Sequence, residues 1–115
     1  MWLMGSLKIW LYRAPVDMRK SIDGLSIVIS DSLNMNPMNS EIFVFYNRHG
    51  DKIKILYWDK NGFCLWYKRL EKGKFKIPGI QEEYSMTAEQ LRWLLDGLDI
   101  GQMTPVEVLH YKEVY

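Results

Sequence analysis

The stretch RHGDKIKILYWDKNGFCLWYKRLEKGKFK, residues 48–76, sets the architecture and poses the question of function. Two runs rich in branched and aromatic residues, KIKILYW (52–58) and FCLWYKRL (63–70), flank the turn sequence DKNG. Such residues fit the pleated, half-buried surface of a strand, and a connection this short joins antiparallel neighbours. Upstream, IFVFYN (42–47) enters through RHGD; downstream, KFKI (74–77) follows EKGK. The four runs predict an antiparallel meander over residues 42–77.

Working outward, LKIWLYR (7–13) reads as a further strand stopped by Ala14 and Pro15. Met18, Ile22, Leu25, Ile29 and Leu33 then recur at helical spacing, predicting a helix near 18–33 with Asp17 as N-cap. Gly24 inside it suggests close packing against the sheet, since glycine costs a helix interior about 1 kcal/mol relative to alanine. NMNPMNSE (34–41) reads as a loop. A second helix near 88–97 is announced by the capping box of Thr87 and Gln90 and by a staple between Met86 and Leu91. Leu91, Leu94, Leu95 and Leu98 form its stripe, and Gly97 ends it. The order β-α-β-β-β-β-α defines an α+β fold: an antiparallel meander of four to five strands with two helices packed on one face. The covering residues are Ile22, Leu25, Ile29, Leu91, Leu94 and Leu95. At 115 residues the chain reads as one domain, 1–115, with its core in about 7–101 and a tail over 102–115.

Composition narrows the function. Hydrophobic content of 48% and charge of 25% suit a packed globule. The net charge of +1 conceals an asymmetry: residues 48–76 carry nine Lys and Arg against three Asp and Glu, and residues 77–115 carry two against seven. A basic middle points to a polyanionic partner. Cys64 is the only cysteine, so an intramolecular disulfide and a thiolate metal cluster are both excluded. His49 and His110 make no metal-spaced pair, and no nucleophile elbow, P-loop or zinc-protease motif occurs. The expectation is a protein that is not an enzyme and uses no cofactor or metal. Neither a signal peptide nor an apolar run of membrane-spanning length is read, which places the expected protein in a reducing cytoplasm.

Which face carries the lysines depends on the DKNG turn. Pairing Asp59 with Phe63 across a bulge at Gly62 separates Ile53, Ile55, Tyr57, Phe63, Leu65 and Tyr67 from Lys52, Lys54, Trp58, Trp66 and Lys68. A two-residue Asn61-Gly62 turn mixes the two sets. The first register is preferred because it separates apolar from charged side chains. Lysines interleaved with tryptophans suit nucleic acid, the cations neutralising phosphates and the indoles stacking on bases. The plainer reading puts the tryptophans beneath a helix with the lysines reaching past them to water. Arg19 and Lys20 at the predicted helix start form a second candidate, either a phosphate site or, for Arg19, an ion pair with Asp23. Arg48, Arg69, Lys72 and Lys74 complete the expected DNA-binding surface.

Three segments carry a resemblance: VDMRKSIDGL (16–25), FVFYNRHGDKIKILYWDKNGFCLWYKRLEKGKFKIP (43–78) and LRWLLDGLDI (91–100). Together they resemble the second-reading-frame proteins (TnpB) of the bacterial insertion-sequence family sixty-six, over about residues 7–101. The matching signature includes Asp17, Met18, Arg19, Lys20, Asp23 and Gly24. It continues through Arg48, Asp51, Ile53, Lys54, Trp58, Gly62, Lys68, Arg69, Leu70, Glu71, Gly73 and Phe75. Where the family usually has tryptophan before Pro78, this chain has Ile77. The resemblance implies a bacterial accessory factor of transposition, encoded beside a separate transposase that holds the catalytic carboxylates. It carries no catalytic residue over to this chain. The expected partners are transposon-end DNA, the transposase and the element's other accessory protein. An adaptor that grips the transposase without touching DNA is the competing expectation.

Overall fold

The structure, a computed structural model, describes residues 8–100. Its strands are β1 (Lys8–Leu11), β2 (Glu41–Tyr46), β3 (Lys52–Asp59), β4 (Gly62–Arg69) and β5 (Tyr84–Met86). Helix α1 (Ile22–Ile27) runs into a π-helical turn (Val28–Ser32), and α2 spans Ala88–Leu95. The five strands form one sheet in the order β4-β3-β2-β1-β5. β2, β3 and β4 are the expected antiparallel meander, whereas β1 lies parallel to β2 and antiparallel to β5. The α+β class and the two helices therefore stand, with a mixed sheet that is mostly antiparallel.

The placement of the helices differs from expectation: they cover opposite faces. Ile9, Leu11, Ile42, Val44, Ile53 and Ile55 pack with Leu91, Leu94 and Leu95 of α2, while Phe43, Phe45, Leu56 and Tyr12 pack with Leu25 and Ile29 beside α1. The cause lies in β2, where Ile42, Phe43, Val44, Phe45 and Tyr46 are all buried. Alternate side chains point to opposite faces, so a continuously apolar strand leaves two apolar surfaces to be covered. One helix on each does so.

Residues 74–77 form no strand. They run past the end of the sheet, with Phe75 buried and its N–H bonded to the Gly50 carbonyl at 2.8 Å. The fifth strand is instead the short β5, which lies on the far side of β1. The first helix also begins later than its apolar stripe suggests, with Ser21 as N-cap. Asp17 instead builds a turn, accepting from the Arg19 N–H at 2.9 Å. Gly24 meets the stem of Lys20, not the sheet: a Cβ there would lie 3.2 Å from Lys20 side-chain carbons.

The second helix follows its local signals closely. The Thr87 side chain accepts from Gln90 N–H and the Gln90 side chain from Thr87 N–H, a complete capping box. At the other end Gly97, with φ +90°, directs its N–H to Leu94, and Leu98 N–H returns to Trp93. These two bonds make a Schellman stop.

Candidate nucleic-acid interface

The β2–β3 turn is assembled by one side chain. Asn47 Oδ1 accepts from the N–H groups of Gly50 and Lys52, both at 3.0 Å, and its Nδ2 donates to Asp51 Oδ1 at 2.7 Å. Gly50 takes φ +83°, which a side chain would resist. The Asn47 amide, helped by the charge of Lys52, holds the Asp51 carboxyl below its usual range. Backbone bonds tie this turn to the segment after β4: Leu70 N–H reaches Asp51 O, and Phe75 N–H reaches Gly50 O. Arg48, Lys52, Arg69, Lys72 and Lys74 are thereby gathered at one end of the sheet. Lys52 stands opposite Arg69 in the β3–β4 register, and the Lys74 stem lies beside Gly50.

Two of these cations are partly neutralised, Lys52 by Asp51 at 3.5 Å and Arg69 by Glu71 at 3.1 Å. Arg48, Lys72 and Lys74 are exposed and have no ion-pair partner among the described residues. Lys76, exposed just beyond Phe75, adds a further cation that the sequence reading left out of the surface. Nothing local marks it; only the backbone tie at Phe75 brings it to this end.

The other candidates are used differently. The β3–β4 register pairs Asp59 with Gly62, leaving Lys60 and Asn61 as the turn, with Lys60 at φ +54°. Neither register considered from sequence had this pairing. It turns β4 over, so that Trp66 and Lys68 join Ile53, Ile55 and Tyr57 on the α2 face, while Phe63, Leu65 and Tyr67 join Lys52, Lys54 and Trp58 on the α1 face. The expected face of Lys52, Lys54, Trp58, Trp66 and Lys68 does not exist. Half-buried Leu65, opposite Leu56 and packed on the cluster that holds Phe43, gives the observed register its apolar contacts.

Lys54 and Lys68 have become internal fasteners. Lys54 Nζ donates to Met18 O and Lys20 O, each at 2.8 Å, and sits 5.5 Å from the Tyr67 ring. It holds the approach to α1 onto the sheet. Lys68 Nζ donates to Leu95 O at 3.0 Å, capping the carbonyl end of α2 where a cation is favoured. Each variant, Lys54→Gln and Lys68→Gln, is expected to lose about 1–2 kcal/mol of unfolding free energy in urea titration. A loss smaller than the fitting error would show that these bonds hold nothing. Trp66 is half-buried against the α2 core. Trp58 stands at the other end of β3, edge-on to Phe63 at 5.0 Å, and lines a cleft of about 410 Å³ with Met38, Glu41 and Lys60.

Arg19 and Lys20 precede α1 and do not open it. The Arg19 guanidinium clasps Asp17, not Asp23, through contacts of 2.6–3.1 Å. Those bonds, with the Arg19 N–H, draw the Asp17 carboxyl down to about 2. Because the folded value lies below the ordinary one, the clasp contributes above the usual carboxylate range and is lost as pH falls through about 2. An NMR titration of the Asp17 side chain is expected to show that midpoint; a midpoint near 4, the ordinary aspartate value, would mean an open clasp. The loop still belongs to the basic end of the sheet, since Val16 N–H bonds to Tyr46 O.

Among the described residues no cluster of His, Cys, Asp and Glu could hold a metal, and no helix is long and apolar enough to cross a membrane. The molecule is a small sheet protein with a helix on each face and a cluster of cations at one end of the sheet. The chain belongs to the family described as IS66 Orf2 like protein, whose model matches residues 7–105. It is similar to two uncharacterized proteins of Sinorhizobium fredii. One, y4hO, is 32% identical over 82% of this chain and 83% of its own length. The other, y4jC, is 35% identical over 81% of this chain and 80% of its own. No solved structure matches.

Proposed function

We propose that the protein acts in transposition of an insertion sequence as a non-catalytic accessory factor, and that it binds DNA through the basic end of its sheet. The family supports the transposition role. The observation that carries DNA contact is the trio Arg48, Lys72 and Lys74, exposed, without carboxylate partners among the described residues, and set on a turn and a segment braced by hydrogen bonds. Cations placed in advance release counterions from phosphates with little further ordering of the protein. Trp58 and Trp66 stand away from this end, so the contact reads phosphate and groove shape and not stacked bases. The expected partners are the element's terminal DNA and, bound alongside it, the transposase.

The test is a titration of terminal-repeat DNA at several salt concentrations, with and without transposase. Binding that weakens linearly on logarithmic axes as salt rises supports the proposal. Capture of transposase with no DNA affinity at any salt would instead identify a protein adaptor.

A further inference from the structure

Among the described residues β4 is the long open edge of the sheet, and two backbone bonds establish which of its peptide groups face outward. Asn47 N–H bonds to Lys52 O, so even-numbered residues of β3 point toward β2 and odd-numbered ones toward β4. Leu70 N–H to Asp51 O continues the same alternation across β3 and β4. With Asp59 opposite Gly62, the N–H and C=O groups of Gly62, Cys64, Trp66 and Lys68 turn inward. Those of Phe63, Leu65, Tyr67 and Arg69 turn outward, and no described segment bonds to them.

Soluble proteins blunt such edges with proline, bulges, charges or short strands. β4 has none of these along its middle: its register with β3 is unbroken over eight pairs, and its only charges are Lys68 and Arg69 at one end. Tyr67, at 49% exposure, is one of the most exposed large apolar side chains described.

We propose that β4 pairs with β4 of a second copy of this chain, antiparallel about a two-fold axis normal to the sheet, making a ten-stranded sheet. The strand is its own complement. Matching the outward groups sets Leu65 against Tyr67 of the second copy and Phe63 against its Arg69, each contact occurring twice as a two-fold interface requires. On the α2 face Trp66 meets its own copy and Cys64 meets Lys68. These are favourable cross-strand pairs, an aliphatic with an aromatic and a cation with a ring. The antiparallel arrangement also sends the two Lys68-Arg69 ends to opposite ends of the seam, where a parallel one would stack like charges. The pairing does not depend on the DNA reading, because the basic turn at Arg48 and Gly50 lies beyond the β3 end of the seam.

The test combines mass in solution with hydrogen exchange on the full chain. Light scattering over a range of concentrations is expected to show the mass of two chains, falling to one in Leu65→Pro and in Tyr67→Lys. Proline at position 65 gives up an outward N–H, which edge strands accept, together with the Leu65 side chain opposite Leu56, so Tyr67→Lys is the variant that leaves that packing in place. Circular dichroism reports whether each variant is folded. In the unmodified chain the amides of Phe63, Leu65 and Tyr67 are expected to gain protection as concentration rises. A single-chain mass at every concentration, a dimer that survives both folded variants, or amides at 63, 65 and 67 that exchange freely throughout would each overturn the proposal.

Discussion

Replacing Arg48, Lys72 and Lys74 together by glutamine is expected to weaken DNA binding sharply while leaving the fold intact. Each lost phosphate contact removes about 0.9 from the slope of log affinity against log salt, so three lower it by about 2.7. The difference from the parent is therefore greatest at low salt and shrinks as salt rises. All three side chains are exposed, and exposed substitutions of this kind stay within about 0.5 kcal/mol of the parent stability. Lys54→Gln and Lys68→Gln give the opposite pattern, a lower stability with an unchanged salt slope, because their ammonium groups are spent on Met18, Lys20 and Leu95 carbonyls. Fluorescence anisotropy with a duplex of the element's end checks both. An unchanged slope in the triple variant would remove this end of the sheet as the DNA surface.

The second large effect is on stability and tests the two-sided core. Leu94→Ala, beneath α2, is expected to cost about 2–5 kcal/mol, and Ile29→Val, on the other face, about 0.5–1.5 kcal/mol. Both side chains are fully buried, in different apolar clusters separated by the sheet. Their costs are expected to add within about 0.5 kcal/mol in the double variant, as for sites with no shared contacts. Residues packed on one face in a shared cluster would couple by more. Urea unfolding of the four proteins of this cycle measures the difference, and strong coupling would contradict the separation of the helices.

Some of this structure was legible residue by residue. The capping box of Thr87 and Gln90, the stop at Gly97 and the strands over 42–47, 52–58 and 63–70 depend on bonds or periodicities within a few positions, and all are found. The Asp17 cap was not. In DMRK the carboxylate has a guanidinium two residues away, and that clasp outcompetes the helix amides. The run over 74–77 alternates like a strand, yet the bond from Phe75 to Gly50 takes it past the end of the sheet. Of the candidate site, Arg48, Lys52, Arg69, Lys72 and Lys74 came together as a group, whereas the lysine–tryptophan face dissolved.

Neither β5 nor the departure of residues 74–77 from the sheet was legible in the sequence, but β1 to β4, two helical segments, the start and stop of α2 and the concentration of positive charge in residues 48–76 were. Those properties follow from alternation, capping chemistry and composition, which act over a turn or a strand. Which face each strand presents, and which cations remain available, follows from contacts between distant parts of the chain. The DKNG turn admits several registers of similar local cost, and a shift of one residue exchanges every side chain of β4 between the faces. The choice was made by Leu65 meeting Leu56 and Phe43, and by Lys68 reaching the carbonyl of Leu95. The last of these partners lies 27 residues away along the chain, a distance at which no local pattern can register a bond.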